Sequence, residues 1–77
     1  MTPAYSKQAR KFLEKQGETI EARIRTAVNK LPLGDVVKMS GHADTYRLRV
    51  GEWRIIFTMV GRDISIDEVL PRGDAYK

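Results

Sequence analysis

The chain has no cysteine and a single histidine, His42, among its 77 residues. These two scarcities exclude a disulfide framework, a thiolate zinc site, a cysteine nucleophile and paired-histidine acid–base chemistry, and they fit a reducing cytoplasm. No metal-ligand spacing such as H-E-x-x-H occurs, so neither a metal nor a cofactor is expected. Long apolar runs are also missing. Stretches such as Ile55-Ile56-Phe57 fall far short of the roughly 20 residues that a membrane span needs, and MTPAYSKQARKFLEK lacks the apolar core of a signal peptide. The expectation is a soluble, untargeted protein with no membrane partner. Internal repeats, low-complexity tracts, a glycine-rich phosphate loop and a Ser-His-Asp set are all absent as well.

What is present suits one small folded domain spanning residues 1–77. Apolar residues make up 42% and charged residues 31%, too apolar a balance for intrinsic disorder at this net charge. A chain of this size buries only about 60% of the surface its unfolded form exposes, so its core must be thin. Fourteen Lys and Arg against ten Asp and Glu give a net charge of +4, which favours polyanionic partners without identifying one.

The pattern changes halfway along the chain. Ser6 is placed to cap a helix running to about Gln16, with Tyr5, Ala9, Phe12, Leu13 and Gln16 on one side and Gly17 as its stop. Ile20, Ile24, Ala27, Val28 and Leu31 then mark a second helix, with Thr19 as a candidate N-cap and Pro32 blocking its extension. The short connection between them predicts an antiparallel helical hairpin. A loop at Pro32-Leu33-Gly34-Asp35 leads into a short strand, Val36-Val37-Lys38-Met39. From Thr45 the period becomes two. Tyr46-Arg47-Leu48-Arg49-Val50 and residues 53–60 form a hairpin about a Gly51-Glu52 type II′ turn, and residues 64–69 add a third strand to the meander.

The two-residue turn sets the register. Val50 faces Trp53, Arg49 faces Arg54, Leu48 faces Ile55, Arg47 faces Ile56 and Tyr46 faces Phe57. One face then carries Tyr46, Leu48, Val50, Trp53, Ile55 and Phe57 for packing on the helices. The other gathers Arg47, Arg49 and Arg54. Two readings of that cationic face stand side by side. It is the wet side of an antiparallel sheet, with Asp67 or Glu68 as partners, or it is an oxyanion-binding surface, since guanidinium matches phosphate in a bidentate fork. Arg72 and Tyr76 in the tail are close enough in sequence to fold over it. Lys7, Arg10, Lys11 and Lys15 belong to the polar side of the first helix and read as a solvated face.

Three blocks also resemble a known family: Leu-Pro-Leu-Gly-Asp-Val-Val-Lys-Met from position 31, Tyr-Arg-Leu-Arg-Val-Gly-Glu-Trp-Arg-Ile-Ile-Phe from position 46, and Pro-Arg-Gly-Asp-Ala-Tyr from position 71. They are similar to the RelE/ParE toxin superfamily of prokaryotic type II toxin–antitoxin systems, and to its RelE side in particular. The resemblance implies an α+β fold, an N-terminal helical hairpin packed on a curved antiparallel β-sheet, and a protein neutralised by a cognate antitoxin. RelE-like members cut messenger RNA on the ribosome, without a metal, by attack of the ribose 2′-hydroxyl on the adjacent phosphorus to give a 2′,3′-cyclic phosphate. ParE-like members inhibit DNA gyrase instead. A non-toxic remnant of the family is the remaining alternative.

On the RelE side, the resemblance makes Arg54 the stabiliser of the transition state. Arg72 holds the phosphate or assists the leaving oxygen, and Tyr76 orients the base or the 2′-hydroxyl. Arg47 and Arg49 grip the backbone, with Lys38 as a further phosphate-binding candidate. The chain departs from the RelE pattern in having arginines where lysines stand on the first of these strands, and arginine is a poor general base. Either Lys38, His42 or Glu68 serves in that role, or catalysis is slower and rests mainly on positioning. The N-terminal MTPAYS is also shorter than the first strand usual in the family. Alanine at all of Arg47, Arg49 and Arg54 is expected to leave folding nearly intact and abolish toxicity.

Overall fold

A computed structural model describes residues 3–39, 41 and 43–71. The elements run β1 (Ala4–Tyr5), α1 (Lys7–Gln16), α2 (Glu18–Val28), β2 (Asp35–Lys38), β3 (Thr45–Val50), β4 (Trp53–Val60) and β5 (Asp63–Pro71). The five strands form one sheet in the order β1-β5-β4-β3-β2, with the two helices on one side. This is the α+β arrangement of a helical hairpin on a sheet, with one addition. β1 pairs parallel to β5, Ala4 beside Ser65 and Tyr5 beside Ile66, so the sheet is mixed at that edge. No described helix is long and apolar enough to cross a membrane.

Ser6 does two jobs. Its hydroxyl oxygen accepts from the Ala9 amide at 3.0 Å, capping α1, and its hydroxyl donates to the Asp67 carbonyl at 2.7 Å, tying the helix start to β5. Gly17, at φ +87°, ends α1 and opens α2. The second helix therefore begins at Glu18, and Thr19 is not its cap. The carbonyl of Gly17 receives the Glu21 amide at 3.0 Å, which starts the helical ladder two residues earlier than expected. The helix also stops short of Leu31. The Lys30 and Leu31 amides bond three residues back, to Ala27 and Val28, because Pro32 keeps its predecessor out of the α region.

The core is one layer between helices and sheet: Ala9 and Leu13 from α1, Ile24 and Val28 from α2, and Leu48, Val50, Ile55, Phe57, Ile66 and Val69 from the strands. Phe12 meets Trp53 edge-on at 5.8 Å, and Tyr46 stacks on Phe57 at 5.5 Å. At the β1 edge, the Arg25 guanidinium lies 4.6 Å from the Tyr5 ring centre, while its Nε bonds Glu21 at 2.8 Å. Burial pushes the Tyr5 phenol above its ordinary range, and the positive charge of Arg25 works against that rise.

The arginine face, a candidate phosphate-binding site

The hairpin that carries the arginines has the register expected of a two-residue turn. Val50, Arg49, Leu48, Arg47 and Tyr46 lie opposite Trp53, Arg54, Ile55, Ile56 and Phe57. Gly51 takes φ +59°, the conformation that the first central position of a II′ turn requires. A Cβ there would also sit 3.1 Å from Nη2 of Arg23, so α2 packs close against the turn. Leu48, Ile55 and Phe57 are buried under the helices, and alternation sends Arg47, Arg49 and Arg54 to the opposite face.

The sheet extends this face in two rows. Asp35, Arg49, Arg54 and Leu70 form one, and Val37, Arg47, Ile56 and Glu68 the other. Facing residues on neighbouring strands have Cα atoms about 4.5–5.5 Å apart, so Arg49 and Arg54 bring two like charges together. Their surroundings differ. Arg49 is exposed and Arg47 half-buried, but Arg54 is only 4% exposed, and its Nη1 donates to the carbonyls of Trp53 at 3.2 Å and Gly51 at 3.4 Å. The trio shares a face as expected, but Arg54 is not the open, solvent-facing guanidinium that the alternation suggested. Its head turns back onto the hairpin backbone and is drawn out of water.

A β-bulge brings acid to the same face. The register slips between Ile56 and Phe57, which lie opposite Glu68 and Ile66, leaving Asp67 as the extra residue on β5. The buried positions on either side are Ile66 and Val69, three apart instead of two, so Asp67 and Glu68 are both directed away from the core. The Asp67 carboxylate accepts from the Thr58 hydroxyl at 2.7 Å. The local sequence pattern marks this bulge only faintly. Its only trace is that Ile64, Ile66 and Val69 break strict alternation.

Lys38 does not join the arginines. It lies opposite Tyr46, whose row continues to Phe57 on the helix side of the sheet, so Lys38 occupies a core-side position at the β2 edge, one strand step out of phase with Arg47. Arg72, Tyr76 and His42 lie outside the described residues. Sequence reasoning also missed a groove of about 540 Å³ on the helix side, lined by Arg23 and Ala27 of α2 together with Leu33, Leu48 and Val50.

No family model matches the chain, and no curated protein sequence does. Solved structures do. The chain is similar to one in the RelB-RelE antitoxin-toxin complex from Methanococcus jannaschii, with a TM-score of 0.78 and 28% identity over 96% of this chain and 95% of that one. It is similar also to one in the archaeal RelE-RelB complex from Pyrococcus horikoshii OT3, with a TM-score of 0.73 and 29% identity over 96% of this chain and 99% of that one. Near-complete coverage in both directions, together with the helical hairpin and the register of the sheet, places the fold. The chain belongs to the RelE/ParE superfamily.

Proposed function

We propose that this protein is the toxin of a type II toxin–antitoxin pair, held inactive by a cognate antitoxin, and that its activity is ribosome-dependent cleavage of messenger RNA. The observation that carries the reading is the gathering of Arg47, Arg49 and Arg54 on the sheet face turned away from the helices. A phosphodiester entering that face meets the exposed Arg49 first, in a geometry suited to bidentate contact. Arg47 lies one row along the same strand and extends the grip to the next phosphate. Arg54 adds positive charge from beneath, where lower polarity makes it more effective, and holds the turn through its two carbonyl contacts. In the same proposal Arg72 and Tyr76 act from the tail, Arg72 on the phosphate or leaving oxygen and Tyr76 in orienting the reacting groups.

The reaction makes a 2′,3′-cyclic phosphate by attack of the 2′-oxygen on phosphorus. Charge builds on the non-bridging oxygens in the transition state, where preorganised guanidinium groups stabilise it more than they stabilise the ground state.

Primer extension on cellular messages after brief induction tests the reading. Cuts within translated codons, absent when translation is blocked, are expected. Intact transcripts accompanied by a DNA-damage response would overturn it in favour of gyrase inhibition.

A further inference from the structure

This inference rests on the cleavage reading above and concerns the group that removes the 2′-hydroxyl proton. The arginines cannot do so, because a guanidinium stays protonated at any relevant pH and has no acceptor atom. Lys38 lies in the row of Tyr46, on the other side of the sheet. The arginine face nevertheless holds several carboxylates. Asp35 at the β2 edge lies directly opposite Arg49 and outside the row of Arg47, whereas Asp67 and Glu68 both reach this face because of the bulge in β5. Without the extra residue, one of positions 67 and 68 would point into the core.

Their environments separate them. Asp67 is half-buried and already accepts the Thr58 hydroxyl, and its own carbonyl is held by Ser6. Glu68 is exposed. It shares a row with Arg47, with Ile56 between them. Two strand spacings put the backbones of Arg47 and Glu68 about 10 Å apart, and both side chains are long enough to reach toward the middle. The row thus runs from a cation on β3, across Ile56, to a carboxylate on β5. Arg47 on β3 and Ile56 on β4 share the row of Glu68, Asp67 precedes it on its own strand, and Arg54 lies in the next row, opposite Leu70.

We propose that Glu68 is the general base. With a phosphate held by Arg47 and Arg49, the attached ribose projects toward β5, and the Glu68 carboxylate takes the proton from its 2′-hydroxyl. The 2′-oxygen forms a bond to phosphorus as the bond from phosphorus to the 5′-oxygen breaks. The leaving 5′-oxygen takes a proton from water, and Glu68 returns its proton to solvent. No metal, oxidant or further reactant is needed for this balance. Thr58 and Asp67 act as positioning residues, fixing the bulge that aims Glu68.

The test is single-turnover cleavage of messenger RNA on programmed ribosomes by the full chain, comparing wild type with Glu68→Gln and Glu68→Asp. Glu68→Gln should slow cleavage by about 10²–10⁴-fold, with unchanged affinity for the ribosome and unchanged melting temperature. Glu68→Asp should recover part of the rate. The decisive substrate carries sulfur in place of the leaving 5′-oxygen, because a thiolate departs without a proton. A base variant stays slow on it, whereas a variant lacking the acid regains its rate. Cleavage by Glu68→Gln within about threefold of wild type, or its rescue by the sulfur substrate, would overturn the assignment while leaving the ribonuclease reading intact. Failure of wild type to cut any ribosome-bound message would overturn both.

Discussion

Arg49 and Arg54 face each other across the β3–β4 pair, yet alanine at the two positions should have opposite consequences. Arg54 is 4% exposed and donates to two backbone carbonyls at 3.2 and 3.4 Å. Both contacts are long, so each belongs at the low end of the roughly 1.5–3 kcal/mol typical of hydrogen bonds to charged groups. Allowing for imperfect geometry and for the packing of the buried stem, Arg54→Ala should cost about 2–3 kcal/mol. For a domain of this size each kcal/mol moves the melting temperature by about 4–8 °C, so a drop of roughly 10–20 °C is expected. Arg49 is exposed, and its removal takes one like charge away from a close pair. Arg49→Ala should change stability by no more than about 0.5 kcal/mol, with any change toward greater stability, while toxicity on induction is lost. Thermal melting followed by circular dichroism, alongside growth after induction, reads both quantities. Arg54→Ala melting within 3 °C of wild type would refute the argument from burial. Arg49→Ala melting 10 °C lower would refute the argument that its neighbour carries the structural load. The expectation that a triple alanine variant of Arg47, Arg49 and Arg54 stays nearly intact no longer holds, because one of the three supports the hairpin. The cleaner functional variant is the double change at Arg47 and Arg49.

Two further outcomes follow from local chemistry. Ser6→Ala removes the cap on Ala9 and the tie to the Asp67 carbonyl together, and should cost about 1–2 kcal/mol, seen as a lower urea midpoint; an unchanged midpoint would show that water replaces both bonds without loss. Tyr5 supplies a pH dependence. Its phenol is raised above the ordinary value, so the folded state prefers the neutral form. That contribution is fully present below the unfolded-state pKa near 10 and is lost as pH climbs through the higher folded value. Alkaline unfolding should therefore shift to higher pH in Tyr5→Phe, which retains the ring beneath Arg25. A titration of stability above pH 9 that is identical in the two proteins would contradict it.

Much of the fold was legible because its signals are short-range. The break at Gly17, the change of period at Thr45 and the two-residue turn at Gly51-Glu52 each act within a few residues, and together they set the register that groups the arginines. What was not legible depends on partners far along the chain. β1 is two residues long and has no pattern of its own; it exists because Tyr5 and Ser6 meet Ile66 and Asp67. The bulge in β5 is likewise a property of the β4–β5 pair and not of either strand. It decides that Asp67 and Glu68 both lie on the arginine face. The burial of Arg54 was hidden for a different reason: alternation reports which side a residue takes, not how much water reaches it.

The bond from Ser6 to Asp67 joins positions 61 apart in sequence, and β5 is the strand on which both β1 and β4 depend. During synthesis the N-terminal arm leaves the ribosome long before the strand that receives it has been made. The helices can form early, but the sheet cannot close until the chain has been extended past residue 67, and loop closure over that span is slow compared with local helix formation. The nascent chain thus lacks its closed sheet until β5 has been made and has met both β1 and β4.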